Sequence, residues 1–577
     1  MKRIYFILIA VIFIITGVYL YVRFSVLKTK DFKPDSSKAR SVLDLRPSII
    51  AKLQQLVKDG SDGLYRLSIG NIEPHILKST LDIMNATLSP DSAELKNLDN
   101  TKKLPDDVFK ISFSTLHIEG IDINDLLSKN HLSLKDISIT DPVIEVYHKK
   151  RRYNKNERIK NDSVTLYQKI MKKMKRISIN NIEVLHGTFI NHNLSKKNHT
   201  TKLNDISINM NNVLIDSSTQ FDKRRFLFAE RAQLSTKNFS GRTPDSLYFF
   251  KCGSIDISTA ENDVTALNIE LHPRGNKQQF ESKLSERREM YNMVIPKITL
   301  SDINWWDLTN EETIIANEAV INSSTCSIFL DRSLPFRKVG LNNFPHQILM
   351  RIPIPVSISK IYFHHSNLSY TEYNPGMDKT GTIYIDDING EVTNITNIPA
   401  QIKHHKLLTL KSSGLFMHKI PITDGFQFDL SKYKTGDFSM DLDIGEIDTA
   451  ILNPIAEPLG EFMLKKGSIT RGIAHVKGDN FKATGKGQLL YKDLYLVGLK
   501  KDKNKPGNIK KKTITSFLGN VFLIKNDNPS KGKPSRVVDF AFQRERKTTF
   551  FSLIWKTIFL AILKTIGLPA SFADKPY

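Results

Sequence analysis

The chain has 577 residues, 40% of them hydrophobic, too long for one ordinary core and too apolar for a disordered polymer. Its formal charge of +23 stands against 60 acidic residues, an excess that favours anionic partners, either phospholipid head groups or nucleic acid. Two cysteines, Cys252 and Cys326, exclude a disulfide-rich scaffold and are equally compatible with one bridge or two thiols.

The first element is Ile4 to Val22, an uncharged run broken only by Thr16 and Gly17. As a helix it spans roughly 28 Å at about 1.5 Å per residue, close to the hydrocarbon thickness of a bilayer. It ends in Tyr19-Leu20-Tyr21-Val22-Arg23 rather than in the small residues of a cleavage site, which predicts an uncleaved anchor over residues 1–30. Positive charge flanks both ends, so the positive-inside rule gives no clear vote. The short basic head, Lys2-Arg3, predicts that the remainder is exported. Residues 31–62 read as a polar stalk and one short helix carrying Leu53, Leu56 and Val57.

From Leu64 the apolar residues alternate with period two, the pattern of half-buried strands. One six-residue phrase recurs: apolar, Ser/Thr, apolar, small polar, polar, apolar. It stands at Leu67–Ile72, Ile111–Leu116, Ile177–Ile182, Ile298–Ile303 and Val356–Ile361. Each copy is followed by a second strand-like stretch, so the predicted unit is a strand, a connection and a returning strand. The copies are unevenly spaced, which excludes a solenoid of fixed period. In each phrase positions one and three share a face while position six falls on the other. A β-bulge at Gly70 or Asn180 would restore the register, or else the sheet is partly covered on both sides.

Domains follow from these textures. Residues 63–148 hold the first hairpins. Residues 149–176 are a basic insertion in which 12 of 28 residues are Lys or Arg, with an amphipathic helix predicted from Ser163. Residues 177–435 form a central repeated β region, and 436–500 a β region in which a proline-interrupted helix over Thr449–Leu464 precedes the glycine-punctuated strands from Gly467. Residues 501–547 are basic loops and strands. Residues 548–577 hold a hydrophobic helix whose two lysines make a membrane span costly, at about 2.5–3.5 kcal/mol each near the bilayer centre. An interfacial helix, or one plugging an apolar groove, is more economical.

No Walker loop, Gly-x-Ser-x-Gly, His-Glu-x-x-His or Cys-x-x-Cys is present. His364-His365, His404-His405 and Asp386-Asp387 sit side by side, and neighbours on a strand point to opposite faces, so none reads as a ligand or carboxylate pair. Trp305-Trp306 read as core or interface aromatics, with core favoured. The expectation is a protein that is no enzyme and uses no metal or cofactor. Nucleic acid is excluded as a partner, because no recognition module accompanies the charge.

An anchor followed by Leu67–Ile72, and Phe113–Asp122 running into Leu132–Ile139 and then Asp141-Pro142-Val143-Ile144-Glu145-Val146, resembles the bacterial AsmA-like family. The glycine-punctuated 467–496 region and Phe550–Leu563 resemble that family's C-terminal domain and closing segment. The basic insertion and uneven spacing depart from it. The resemblance implies a mainly β fold: an inner-membrane helix, then an elongated antiparallel β-groove of repeated hairpins with a few short helices in the periplasm. It further implies movement of phospholipid toward the outer membrane in support of envelope biogenesis. Partners would be phospholipids or other acyl lipids, the inner membrane through Ile4–Val22, and the outer membrane or envelope proteins through the C-terminal helix. About 20 strands at ~4.8 Å spacing would extend on the order of 100 Å. Ile69, Phe113, Ile179, Leu300 and Ile358 are the positions expected to line the groove. The competing reading is a closed, side-chain-filled β protein that serves assembly of outer-membrane proteins.

Overall fold

The computed structural model describes residues 46–75, 78–121, 129, 131–154, 175–195, 199–243, 245–335, 343–501, 509–512, 525–544 and 549–568. The predicted anchor, the helical half of the basic insertion and most of the 500–512 loop lie outside the described residues. Among the described residues no helix is long and apolar enough to cross a membrane. The chain is mainly β, a mixed sheet of hairpins, and divides into two compact units. One comprises 1–244, 251–266 and 304–312, the other 245–250, 267–303 and 313–577.

The N-terminal unit begins with α1 (Arg46–Gly60), then β1 (Tyr65–His75), β2 (Thr80–Pro90), α2 (Ser92–Asn100) and β3 (Asp107–Glu119). The return from β3 is split into β4 (His131–Thr140) and β5 (Val143–His148), followed by β6 (Arg176–Asn193), β7 (His199–Ile215) and β8 (Arg231–Arg242). Helix α3 (Trp305–Asn310) belongs to this unit; Trp305 is half-buried and meets Phe226 edge-on at 5.6 Å, so it is not a core residue as predicted. β9 (Tyr248–Ser258) and β10 (Asp263–Pro273) contribute residues to both units.

The C-terminal unit holds β11 (Met290–Ser301), β12 (Ile314–Asn322), β13 (Thr325–Asp331), α4 (Pro345–Leu349), β14 (Val356–Asn374), β15 (Lys379–Thr396) and α5 (Pro399–His404). β16 (Leu407–Phe416), β17 (Ile420–Asp429), β18 (Phe438–Ile444) and β19 (Ile447–Asp448) follow. The predicted Thr449–Leu464 helix is three short helical turns that end at Gly460. A left-handed Glu461 (φ 59°) then turns the chain into β20 (Phe462–Gly478). β21 (Lys482–Lys501), β22 (Ile509–Lys512), β23 (Val537–Gln543) and α6 (Phe550–Ile566) complete it.

The sheet is not purely antiparallel. β3 pairs with both β4 and β5, and these two then lie parallel to β6. In the same way β11 pairs with β12 and β13, and both lie parallel to β14. The reason is local. A left-handed Asp141 (φ 51°) before Pro142, which lacks an N–H, breaks the first return, and a left-handed Ser323 (φ 52°) breaks the second. After each break the chain crosses back and runs alongside the split strand in the same direction. β3–β8 and β11–β16 thus share one connectivity. Their left-handed residues match as well: Asp141 and Ser323, Asp205 and Asp387, and Asn212 and Asn394 are each 182 residues apart.

The mismatch inside the repeated phrase has a different cause from the predicted bulge. Ile69 pairs with Ala86 and Asn71 with Met84, with no register shift at Gly70. Ile179–Val213 and Asn181–Asn211 likewise keep register around Asn180. The residue facing position four on the returning strand is left-handed instead: Asn85 (φ 52°), Asn212 (φ 53°) and, in the last copy, Asn394 (φ 58°). That turn carries side chains to the other face, so positions one, three and six are all directed inward. Ile177, Ile179 and Ile182 are accordingly buried together. The Ile298–Ile303 copy lies out of step: its fourth residue, Ser301, faces Glu318 in regular pairing.

The N-terminal unit closes a packed core. Ile49 and Leu53 of α1, which packs on β1, join Ile72, Ile83, Leu116, Ile118, Ile137 and Ile177 in one buried cluster. The C-terminal unit has its own core beneath α6, including Phe428, Phe438, Met440, Val476, Phe540, Leu553 and Leu560. Thr549 caps α6 by accepting from the Ser552 N–H. Gly567 (φ 87°) ends it, with the Leu568 N–H donating to the Leu563 carbonyl at 2.8 Å. Cys252 and Cys326 are not joined in a disulfide.

Candidate functional site: an apolar row across the C-terminal unit

Directly opposed residues of neighbouring strands point to the same face. In the C-terminal unit this register strings together Leu300, Ala319, Ile361, Val392, Leu410, Phe426, Met440, Val476, Gly485 and Phe540, one from each of ten strands. Every member is apolar or glycine. Gly485 leaves space for its neighbour, since a Cβ there would fall 2.7 Å from the Phe540 ring.

A second row runs beside it through Ile298, Ile321, Phe363 and Gly390, then Ser412, Asp424, Leu442 and Ala474. Gly390 repeats the device of Gly485, as a Cβ there would fall 2.6 Å from the Phe363 ring. Asp424 is the one carboxyl of this row; it accepts from the Ser412 hydroxyl at 2.5 Å, and burial pushes it above the usual carboxylate range.

The two ends of the rows differ. From Phe426 onward α6 lies over them: the Phe550 ring sits 6.1 Å from Phe426 and 5.5 Å from Phe438, and Ala561 covers Gly487. Met440, Val476 and Phe540 are buried there. On β11, β14, β15 and β16 the corresponding Leu300, Ile361, Val392 and Leu410 are only half-buried, as is Phe363. The helix therefore fills part of an apolar face and leaves the rest partly open to solvent. Further along β14 the face turns polar. The Tyr370 hydroxyl donates to Glu372 at 2.7 Å and Arg332 approaches the same carboxylate at 3.3 Å. Burial, then the Glu372 charge, raise the Tyr370 hydroxyl well above its ordinary range.

The five predicted lining residues separate into two environments. Ile179 is buried in the N-terminal core, and Ile69 and Phe113 are half-buried against it. Leu300 and Ile358 are half-buried on the C-terminal face, and only Leu300 belongs to the long row. Val392, Leu410 and Phe426 are further members that the phrase did not single out. Their signal was alternation alone, in Val392-Thr393 and in Leu408-Thr409-Leu410.

The adjacent histidines and aspartates resolve into cross-strand pairs. Nδ1 of His365 lies 2.7 Å from Asp387, His418 lies 2.6 Å from Asp386, and His186 lies 3.2 Å from Asp205 in the first module. Hydrogen bonding by His365 holds the Asp387 carboxyl below its usual range, and His186 does the same for Asp205. Among the described residues no group of three or more His, Cys, Asp or Glu could hold a metal ion. The N-terminal unit carries a depression of about 400 Å³ with a mixed lining, in which Glu183, Asp256, Glu261 and Asp263 stand beside Val184, Leu185, Ile208, Leu234 and Ile257. No protein-family model and no curated protein matches this chain.

Proposed function

We propose that the protein is a non-catalytic, AsmA-like envelope protein that binds phospholipid acyl chains along the apolar row of its C-terminal unit. In this reading Ile4–Val22 holds it in the inner membrane, the bulk of the chain is periplasmic, and lipid passes toward the outer membrane. One observation carries the proposal: an unbroken apolar row in which Leu300, Ile361, Val392 and Leu410 are only half-buried while α6 fills the remainder. Transfer of apolar surface from water gives about 25 cal/mol per Å², so an alkyl chain lying along the half-buried Ile, Leu and Val would be held without any catalytic group. Movement would need only that neighbouring positions bind equally well.

The second reading, a closed β scaffold for assembly, is favoured by the N-terminal unit alone, where the repeated phrase forms a filled core. The conduit proposal therefore rests on the C-terminal unit and not on Ile69, Phe113 or Ile179. Mass spectrometry of lipids retained by the purified full chain tests it. Wild type should retain phospholipid, and the Ile361→Asp, Val392→Asp double variant should retain about tenfold less, because a carboxylate there would meet hydrocarbon. Equal retention would refute the reading.

A further inference from the structure

One long edge of the C-terminal sheet gathers exposed apolar side chains. Register traces that edge through Ile314–Val356, Ser357–Thr396, Leu407–Asp429, Phe438–Gly478 and Lys482–Gln543. The connections that emerge from it carry Ile348, Ile352 and Ile354 before β14, Leu407 at the start of β16, and Phe481 between β20 and β21. Phe551 stands in the first turn of α6, which follows β23. These six are between 40% and 57% exposed.

Their positions are fixed, not loose. Asn397 donates to the Ile352 and Ile354 carbonyls at 3.1 and 3.0 Å. Gln347 ties α4 to the neighbouring turns through the Tyr433 carbonyl at 2.7 Å and Asn480 at 3.1 Å. Beneath them Phe344 and His346 are fully buried, so the core is already sealed and offers the outer side chains no place.

Lys403, Lys406, Lys434, Lys477 and Lys482 stand exposed on the same connections and strand ends, and among the described residues none of them enters an ion pair. The acidic groups of the edge are engaged. Asp429 accepts from the Ser431 N–H, and Asp437 takes Lys432 at 3.3 Å. Asp479 accepts from the N–H groups of Phe481 and Lys482. The edge therefore presents apolar tips among uncompensated ammonium groups. Lysine is depleted in protein–protein interfaces, whereas this mixture matches a bilayer surface, where apolar tips enter the acyl boundary and lysines meet phosphate. The corresponding β7–β8 connection of the first module repeats the chemistry, with Phe221 68% exposed two residues before Lys223.

We propose that this edge docks the C-terminal unit onto an anionic lipid bilayer. The inference goes beyond acyl-chain binding by the row and does not require it. The test uses the full chain held in nanodiscs of phosphatidylcholine, which sequester its hydrophobic N-terminus, floated with added vesicles. Capture should be strong on phosphatidylcholine vesicles containing about a third phosphatidylglycerol and about tenfold weaker on phosphatidylcholine alone. Replacing the five lysines with Gln should cost about tenfold on the anionic vesicles. Ile352→Ser with Phe481→Ser should weaken capture on the same vesicles. Absence of wild-type capture, or capture unchanged in both variants, would overturn the proposal. So would self-association, without vesicles, that the same substitutions abolish, since the edge would then be a protein interface. Lipid retention measured on the same preparations separates the two ideas: lost capture with normal retention sinks the edge alone, and the reverse sinks the row alone.

Discussion

Asn85, Asn212 and Asn394 each turn a strand over by adopting a conformation that costs other side chains roughly 1–2 kcal/mol, and asparagine tolerates it through its short polar side chain. Asn212→Gly should therefore keep the stability of the N-terminal unit, whereas Asn212→Val should lose about 1–2 kcal/mol. Urea unfolding followed by circular dichroism distinguishes the two. The need for such a turn was visible in the phrase, because its sixth position had the wrong parity. The residue that makes the turn was not, because it stands on the partner strand and looks like any loop asparagine. His346 gives a second residue-scale prediction. It is fully buried between Phe344 and Phe428, neither ring nitrogen has a hydrogen-bond partner among the described residues, and burial lowers its pKa from 6.5 to about 4. The folded form thus binds a proton less readily than the unfolded chain. Its stability is complete above about pH 6.5 and falls as pH drops toward 4, by on the order of 3 kcal/mol. His346→Leu should flatten that part of the stability–pH curve; an unchanged slope would show that other groups set it.

Among the elements, α6 combines a very apolar sequence with a place already made for it. Leu553, Leu560 and Leu563 are buried against β21 and β23, and Thr557 satisfies its hydroxyl on the Leu553 carbonyl at 2.7 Å. Leu560→Ala should cost about 2–5 kcal/mol, while Lys564→Ala, at the exposed end, should cost under about 1 kcal/mol. Thermal unfolding read through Trp555 on the same helix would register both. Its narrow polar stripe and two lysines argued against a membrane span but left an interfacial helix and a packed one both open; the helix packs on β21 and β23. The parallel returns β4–β6 and β12–β14 were not legible, because alternation is the same for parallel and antiparallel strands. Pro142 was the only printed hint of a broken return, and Ser323, which does the same work in the second copy, carries no such mark.

For the molecule as a whole, the two units place the same recurring phrase in opposite circumstances. In the N-terminal unit it is core, so Ile179→Asp should unfold that unit, a loss beyond about 4 kcal/mol from a charge buried without a partner. In the C-terminal unit Ile358 and Ile361 are half-buried and belong to neither core cluster, and Ile361→Asp should leave the circular dichroism spectrum and the melting profile nearly intact. The fold class and the hairpin unit were thus readable from periodicity. Which copies form a filled core and which an open face was not, because that depends on where α1 and α6 come to rest. The most direct measurement is photo-crosslinking of the full chain in its native membranes, with a benzophenone amino acid at Val392 or at its neighbour Glu391 on the opposite face. A phospholipid adduct at 392 and none at 391 is the predicted result; equal labelling at both positions, or none at 392, would contradict acyl-chain binding along the row.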